Sequence, residues 1–235
     1  LLIASIVIAI LLIIVVILAF PGIFKNKGAD KLTPGLEKSI AVLPFINDSQ
    51  DTTNVYFING IMEGILNNLS KIKDLKVLSR TSVEQYRNNK TKTMPQIAAE
   101  LGVTYIVEGS GQKYGDKVML SIQLLEAGSD KHLFSESYDR KLEDIFEIQS
   151  EISTSVATSI RAVITPEETE LIDRKPTVNI AAFNMYLRGS ELNRIARLYN
   201  NKVLYQQAEA CYKKAIQLDS TYSDAYVRLG WRVIS

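Results

Sequence analysis

Hydrophobic and polar positions follow three different rhythms along this chain. Residues 1–20 show none: they are apolar on every face, with Ser5 the single polar side chain and no charge, proline or glycine. At about 1.5 Å per residue, a helix of that length spans roughly the 30 Å hydrocarbon core of a bilayer. Its β-branched residues suit lipid better than water. We therefore expect one amino-terminal transmembrane helix over 1–21. A signal peptide would show a basic start, a shorter apolar core and a small-residue cleavage site; here Pro21-Gly22 and then Lys25, Lys27 and Lys31 follow. The first residue is not Met, which we read as a fragment, a processed form or a trimmed chain.

Residues 22–38 read as a linker, rich in glycine, proline and lysine. The next rhythm mixes short apolar runs with helical spacing. Residues 39–45 form a short buried strand ending near Pro44, and 47–54 a polar loop of turn formers and helix caps. Ile58, Ile61, Met62, Ile65, Leu66 and Leu69 fall three and four apart and predict a helix over 55–69. A strand at 75–79 follows, then a short helix capped by Thr81 or Ser82, and a helix over 94–101 stopped by Gly102. Residues 103–110, 117–125 and 132–138 read as consecutive strands joined by turns at 114–117 and 128–130. Val118, Leu120, Ile122 and Leu124 alternate with other residues, the period of a half-buried strand. The pattern is βαβ followed by antiparallel strands, an α/β domain over 39–175. Ile145, Ile148, Ile152, Val156, Ile160 and Val163 predict one long helix packing on the sheet, and Pro166 opens another.

From 176 to 235 the rhythm is helical with small residues at regular places. Ala208, Tyr212 and Ala215 stand where a tetratricopeptide repeat has a small residue, an aromatic and alanine, with Ser220 in place of proline; Tyr226, Leu229 and Gly230 match the opening of the next unit. Small residues let antiparallel helices approach closely, and the aromatics fill the holes beside them. Tyr186-Leu-Arg-Gly189 lies about seven residues too far upstream of Ala208, so 195–202 is an insertion or a helix extension. Such arrays need roughly three units, and further repeats are expected beyond Ser235.

Composition narrows the chemistry. Among 235 residues there are 27 basic and 26 acidic ones, a net charge of +1, which gives no reason to expect nucleic-acid binding. One cysteine, Cys211, and one histidine, His132, exclude an internal disulfide framework and a cysteine-based zinc site. Asp48 and Asp51 with Asn47 and Asn54 have no EF-hand spacing and read as turn caps. Glu108-Gly-Ser-Gly111 lacks the Lys-Ser/Thr ending of a P-loop, and Ser110 or Ser135 near His132 has no nucleophile elbow. Cys211 sits among packing residues and reads as an inert thiol. No catalytic residue, metal ligand or cofactor is expected. Glu108 is the most unusual polar residue: it follows an apolar strand and, if buried, needs a partner such as Arg80 or Arg140, as a structural pair or a ligand contact.

Several segments occur together in order: 39–45 (Ser-Ile-Ala-Val-Leu-Pro-Phe), 56–60, 75–82 (Leu-Lys-Val-Leu-Ser-Arg-Thr-Ser), 97–103, 107–110, 146–152 and 186–189. This series resembles the TolB amino-terminal-like (flagellar assembly lipoprotein-like) domain followed by tetratricopeptide repeats. That arrangement occurs in the carboxyl-terminal half of bacterial membrane-bound adenylate cyclases and helix-turn-helix transcription regulators. The resemblance covers 39–235. It implies an output domain upstream in the cytoplasm, a single pass through the inner membrane and a periplasmic body that senses or binds without catalysis. The lysines after residue 20 favour the opposite orientation, and the amino-side flank that would balance them is not in the chain. The partner would be a protein or peptide on the repeat surface, with a homodimer as a further arrangement. An envelope assembly scaffold is the alternative function.

Overall fold

The computed structural model describes residues 38–129 and 131–233. The expected membrane helix and linker lie outside them. Among the described residues no helix is long and apolar enough to cross a membrane.

Strand β1 (Lys38–Val42) is buried on both faces: Ile40 and Val42 enter the main core, Ala41 and Leu43 a smaller one behind it. A strand covered on both sides reads as a continuous apolar run, hence the unbroken Ile-Ala-Val-Leu. It lies between parallel neighbours, β3 (Leu75–Val77) and β4 (Tyr105–Tyr114), while the short β2 (Ile46–Asn47) pairs further along β4. Antiparallel strands β5 (Lys117–Glu126) and β6 (Lys131–Lys141) complete the order β3-β1-β4-β5-β6. Val118, Leu120, Ile122 and Leu124 are buried as their alternation predicts, and Met119 faces the open side. Leu125, on the other face beside its β4 partner Ile106, is buried as well, and the β5–β6 register shifts at Leu124/Leu125.

Helix α1 (Val55–Leu69) matches the expected span and carries β1 over to β3. The return to β4 runs behind the sheet through α2 (Arg80–Val83) and α3 (Met94–Leu101). Gly102, at φ 66°, ends α3 as foreseen. The cap of α2 is Ser79, whose hydroxyl accepts the Ser82 N–H, and not Thr81 or Ser82, so the helix starts slightly earlier than expected. Asp51 is a turn cap, accepting from the Thr53 N–H at 2.9 Å and the Asn54 side chain at 2.9 Å.

Helix α4 (Ile145–Ser159) packs against α1, but ends before the expected Val163. Arg161 adopts a left-handed conformation at φ 55°, and Asp74 accepts the Val163 N–H at 2.8 Å. The chain is thereby pulled off the helix axis and Val163 is left 66% exposed. Helix α5 (Pro166–Asp173) starts with a capping box in which Thr165 and Glu168 satisfy each other's backbone. Glu168, buried, also accepts the Lys73 N–H at 3.0 Å, which ties α5 to the loop after α1.

Three helices complete the described residues: α6 (Ile180–Tyr199), α7 (Lys202–Leu218) and α8 (Ser223–Val233). The seven extra residues prove to be helix extension: α6 continues to Tyr199, Asn200 turns in a left-handed conformation at φ 47°, and Asn201 caps α7. Close packing of α6 on α7 rests on Gly189, where a Cβ would lie 2.8 Å from the Tyr212 ring and 3.1 Å from the Ala208 carbonyl oxygen. Ala208, Tyr212 and Ala215 are all buried, as the small-aromatic-small spacing requires. The aromatic contributed from the α8 side is Tyr222, fully buried with its ring 5.1 Å from that of Tyr186, and not Tyr226, which is 48% exposed. Leu229 is half-buried and a Cβ on Gly230 would meet nothing within 4 Å.

Gly189→Ala is expected to cost about 1–3 kcal/mol, because the added methyl meets an aromatic ring and a backbone oxygen inside a filled interface. Urea unfolding monitored by circular dichroism checks this; an unchanged midpoint would contradict the close approach.

Candidate functional site

The polar chemistry of the described residues concentrates where the helical hairpin meets the sheet domain. Helix α1 leaves a shallow place there at Gly60, into which Leu187 of α6 fits; a Cβ on Gly60 would fall 2.4 Å from a Leu187 methyl. Phe146 of α4 stacks edge-on against Phe183 of α6, with ring centroids 4.6 Å apart. Around this apolar contact lies a network of four arginines and three glutamates. Arg80 donates to Glu63 at 2.6 Å and lies 3.8 Å from both Glu84 and Glu191. Arg87 grips Glu84 with two nitrogens, at 2.6 and 3.1 Å, and donates to the Asn59 side-chain oxygen at 2.9 Å. Arg194 holds Glu191 with two nitrogens, at 3.0 and 2.7 Å, and reaches Glu84 at 3.3 Å. Arg228 of α8 reaches Glu63 at 3.5 Å and the Tyr186 hydroxyl at 3.4 Å. The network thus joins α1, α2, α6 and α8.

Burial alone raises the Glu84 carboxyl pKa, but the hydrogen bond from Arg87 and the charges of Arg87, Arg194 and Arg80 outweigh it, and the net shift is downward. Glu191 behaves in the same way: burial raises it, while the bond and charge of Arg194 and the charge of Arg80 lower it further.

Two hollows flank the sheet domain. One, of about 640 Å³, lies along the seam between α1, α4, α5 and the hairpin, with Lys71, Phe146, Arg174, Leu187, Tyr222 and Asp224 in its lining. Lys71 donates to the Asn68 side chain and the Leu171 carbonyl, each at 2.8 Å, and burial lowers its pKa. Tyr222 contributes a hydroxyl that is buried without a hydrogen-bond partner, and burial raises its pKa strongly. The other hollow, about 250 Å³, opens at the carboxyl end of β1 beside Pro44, Tyr86, Glu108, Ser121 and Gln123.

The residues singled out as a polar site do not come together. Glu108 shares its sheet face with Ile106 and lines the hollow beside Tyr86. Arg140 stands on edge strand β6, toward the opposite face, and pairs with Glu151 of α4 at 3.1 Å. Sheet parity separates the two. Arg80 is committed to the three glutamates of the seam. Glu63, Lys71, Glu191 and Tyr222 carried no signal as a group. Only Arg80 with Glu84, four apart, and Glu84 with Arg87 and Glu191 with Arg194, each three apart, could have hinted at ion pairing. Cys211 is half-buried, and burial raises its thiol pKa. His132 is exposed on β6. Among the described residues no group of three or more His, Cys, Asp and Glu side chains could hold a metal ion.

Comparison with known proteins agrees with the sheet domain. Residues 36–155 match the family model of the HilA/YgeH-like transcriptional regulator, second domain. The chain belongs to this family. It is also 33% identical over 191 residues to "Putative adenylate cyclase 3" of Rhizobium meliloti (strain 1021), a match that covers 81% of this chain and 32% of that protein. The chain thus spans about a third of that relative. Among solved structures, TolB from Acinetobacter baumannii overlaps 55% of this chain and 29% of its own, with 17% identity and a TM-score of 0.41. The LpoB carboxyl-terminal domain from Salmonella enterica overlaps 48% of this chain and 87% of its own, with 15% identity and a TM-score of 0.36. The resemblance read from the ordered segments, to a TolB-like domain of cyclases and transcription regulators, stands.

Because the folded pKa values of Glu84 and Glu191 lie below the ordinary carboxylate value, their contribution to stability is present above about pH 4.3 and is lost as pH falls through the depressed values. Glu191→Gln is expected to cost about 1–3 kcal/mol at pH 7. Its deficit against the parent chain should shrink below about pH 4. Denaturant titrations from pH 3 to 7 test this; a deficit independent of pH would assign the residue a packing role only.

Proposed function

We propose that this chain is the membrane-anchored, non-catalytic sensing and protein-interaction part of a bacterial signalling protein, whose output is carried by sequence outside it. One observation carries the reading. Residues 36–155 match a domain of a transcriptional-regulator family, and 191 residues of the chain match about a third of a putative adenylate cyclase. A module common to those two kinds of protein supplies neither output itself, since function resides in sites and not in a shared fold. The ion-pair network supports it further: each of its arginines is held by a glutamate fixed on a helix, an arrangement suited to holding two parts in register.

In this reading residues 1–21 cross the inner membrane and the body lies on the periplasmic side. Helices α6 to α8 begin a tetratricopeptide array. Its small-aromatic-small spacing at Ala208, Tyr212 and Ala215 supports that assignment, and the completed array offers a concave surface to a protein or peptide.

The purified chain is expected to form no cyclic AMP from ATP with magnesium or manganese and to retard no DNA fragment. Sustained turnover by the chain alone would overturn the non-catalytic part. Alkaline phosphatase and β-galactosidase fused in turn after Ser235 report orientation, with only the phosphatase fusion expected to be active. The reverse pattern would place the body in the cytoplasm.

A further inference from the structure

We propose that the seam cleft is a binding site for a small carboxylate bearing an apolar side chain, of amino-acid or dipeptide size. This deepens the sensing reading above and rests on it for its use by the cell. The cleft's volume of about 640 Å³ falls within the roughly 300–1,000 Å³ usual for small-molecule sites, which form preferentially between structural units.

Its charges sort by what already neutralises them. Glu63 is held by Arg80 and Arg228, and Asp219 accepts from Thr177 and Thr221. Lys175 is paired with Glu147 at 2.5 Å. Lys71 and Arg174 remain on one wall and Asp224 on the hairpin side; none of them makes a close ion pair among the described residues, and the charges of Asp224 and Arg174 act on Lys71 with opposite sign. Lys71 directs two ammonium hydrogens at Asn68 and Leu171, which leaves one of its three for a ligand. A carboxylate held by Lys71 and Arg174 satisfies this wall, and an amino group facing Asp224 satisfies the other.

Two further features fit such a ligand. Phe146 and Leu187 give the cleft an apolar floor. The Tyr222 hydroxyl is fully buried and has no hydrogen-bond partner. Buried hydroxyls are rarely left so, and a polar ligand atom supplies the missing partner. Because the cleft has walls from both the sheet domain and the hairpin, occupation would stiffen the seam between them.

Isothermal titration calorimetry on the full chain in detergent tests this with three probes: Ala-Phe, 3-phenylpropionate and phenethylamine. Ala-Phe is expected to bind, 3-phenylpropionate to bind more weakly for want of the amino group, and phenethylamine not to bind. Arg174→Gln, on an exposed side chain, should weaken Ala-Phe at least tenfold, as should Lys71→Met. Tyr222→Phe should weaken it without lowering the melting temperature of the unliganded chain. Absence of heat from both acids at millimolar concentration, phenethylamine binding as tightly as the acids, or undiminished affinity in Arg174→Gln would each overturn the proposal. None of these outcomes bears on catalysis, which the turnover assay decides separately.

Discussion

Every layer of this molecule meets at helix α1. One stripe of the helix, Phe57, Ile58, Ile61, Met62, Ile65 and Leu69, is buried on the sheet and against α4, while Gly60 receives Leu187 of the hairpin. Ten of its fifteen residues are buried, far more than a surface helix with one apolar stripe would show. The constraint is steric. A helix covered on more than one side must present small residues where a second partner approaches, and the glycine at position 60 meets that need. The hairpin thereby becomes part of the same compact body as the sheet.

Apolar contact brings the hairpin to the sheet domain, and charge fixes its register. Interdigitated apolar side chains tolerate sliding better than hydrogen-bonded ion pairs do. Paired bidentate grips, Arg87 on Glu84 and Arg194 on Glu191, hold planar groups in set orientations. Exposed pairs contribute little on their own, but here the groups are half-buried and share partners across four helices. The seam combines this ion-pair network with an adjoining cleft.

The two halves of the sheet differ in kind. The parallel half, β3-β1-β4, is covered on both faces by crossover helices. The antiparallel half is covered on one, and its other side presents Met119, Ser121 and Gln123. The hollow beside Glu108 lies where the two meet, at the carboxyl end of β1, beside the point where the crossover helices change face. Ligands favour such switch points in open α/β sheets, which gives Glu108 a reasoned place even though Arg80 and Arg140 are not its partners.

Much of the fold was legible along the chain, and the failures have local causes. The span of α1, the stop at Gly102 and the buried alternation in β5 follow from periodicity and backbone preference, which act within a few residues. Helix α4 stopped early because Asp74, far away in sequence, takes up the Val163 N–H. Tyr222 displaced Tyr226 as the core aromatic because the turn into α8 swings it under Tyr186. The seam escaped notice altogether, since Glu63, Arg80, Glu84 and Glu191 look like ordinary helix-surface charges until their helices are brought together. Taken alone, the order of residues determined which segments are strands and helices and which family the sheet domain joins, because those depend on spacing between near neighbours. Only the tertiary structure decided how the charged helices join across the seam, where the cleft lies and which tyrosine is buried, because contacts such as Arg194 with Glu84 and Arg228 with Glu63 join positions more than a hundred residues apart and leave no local trace.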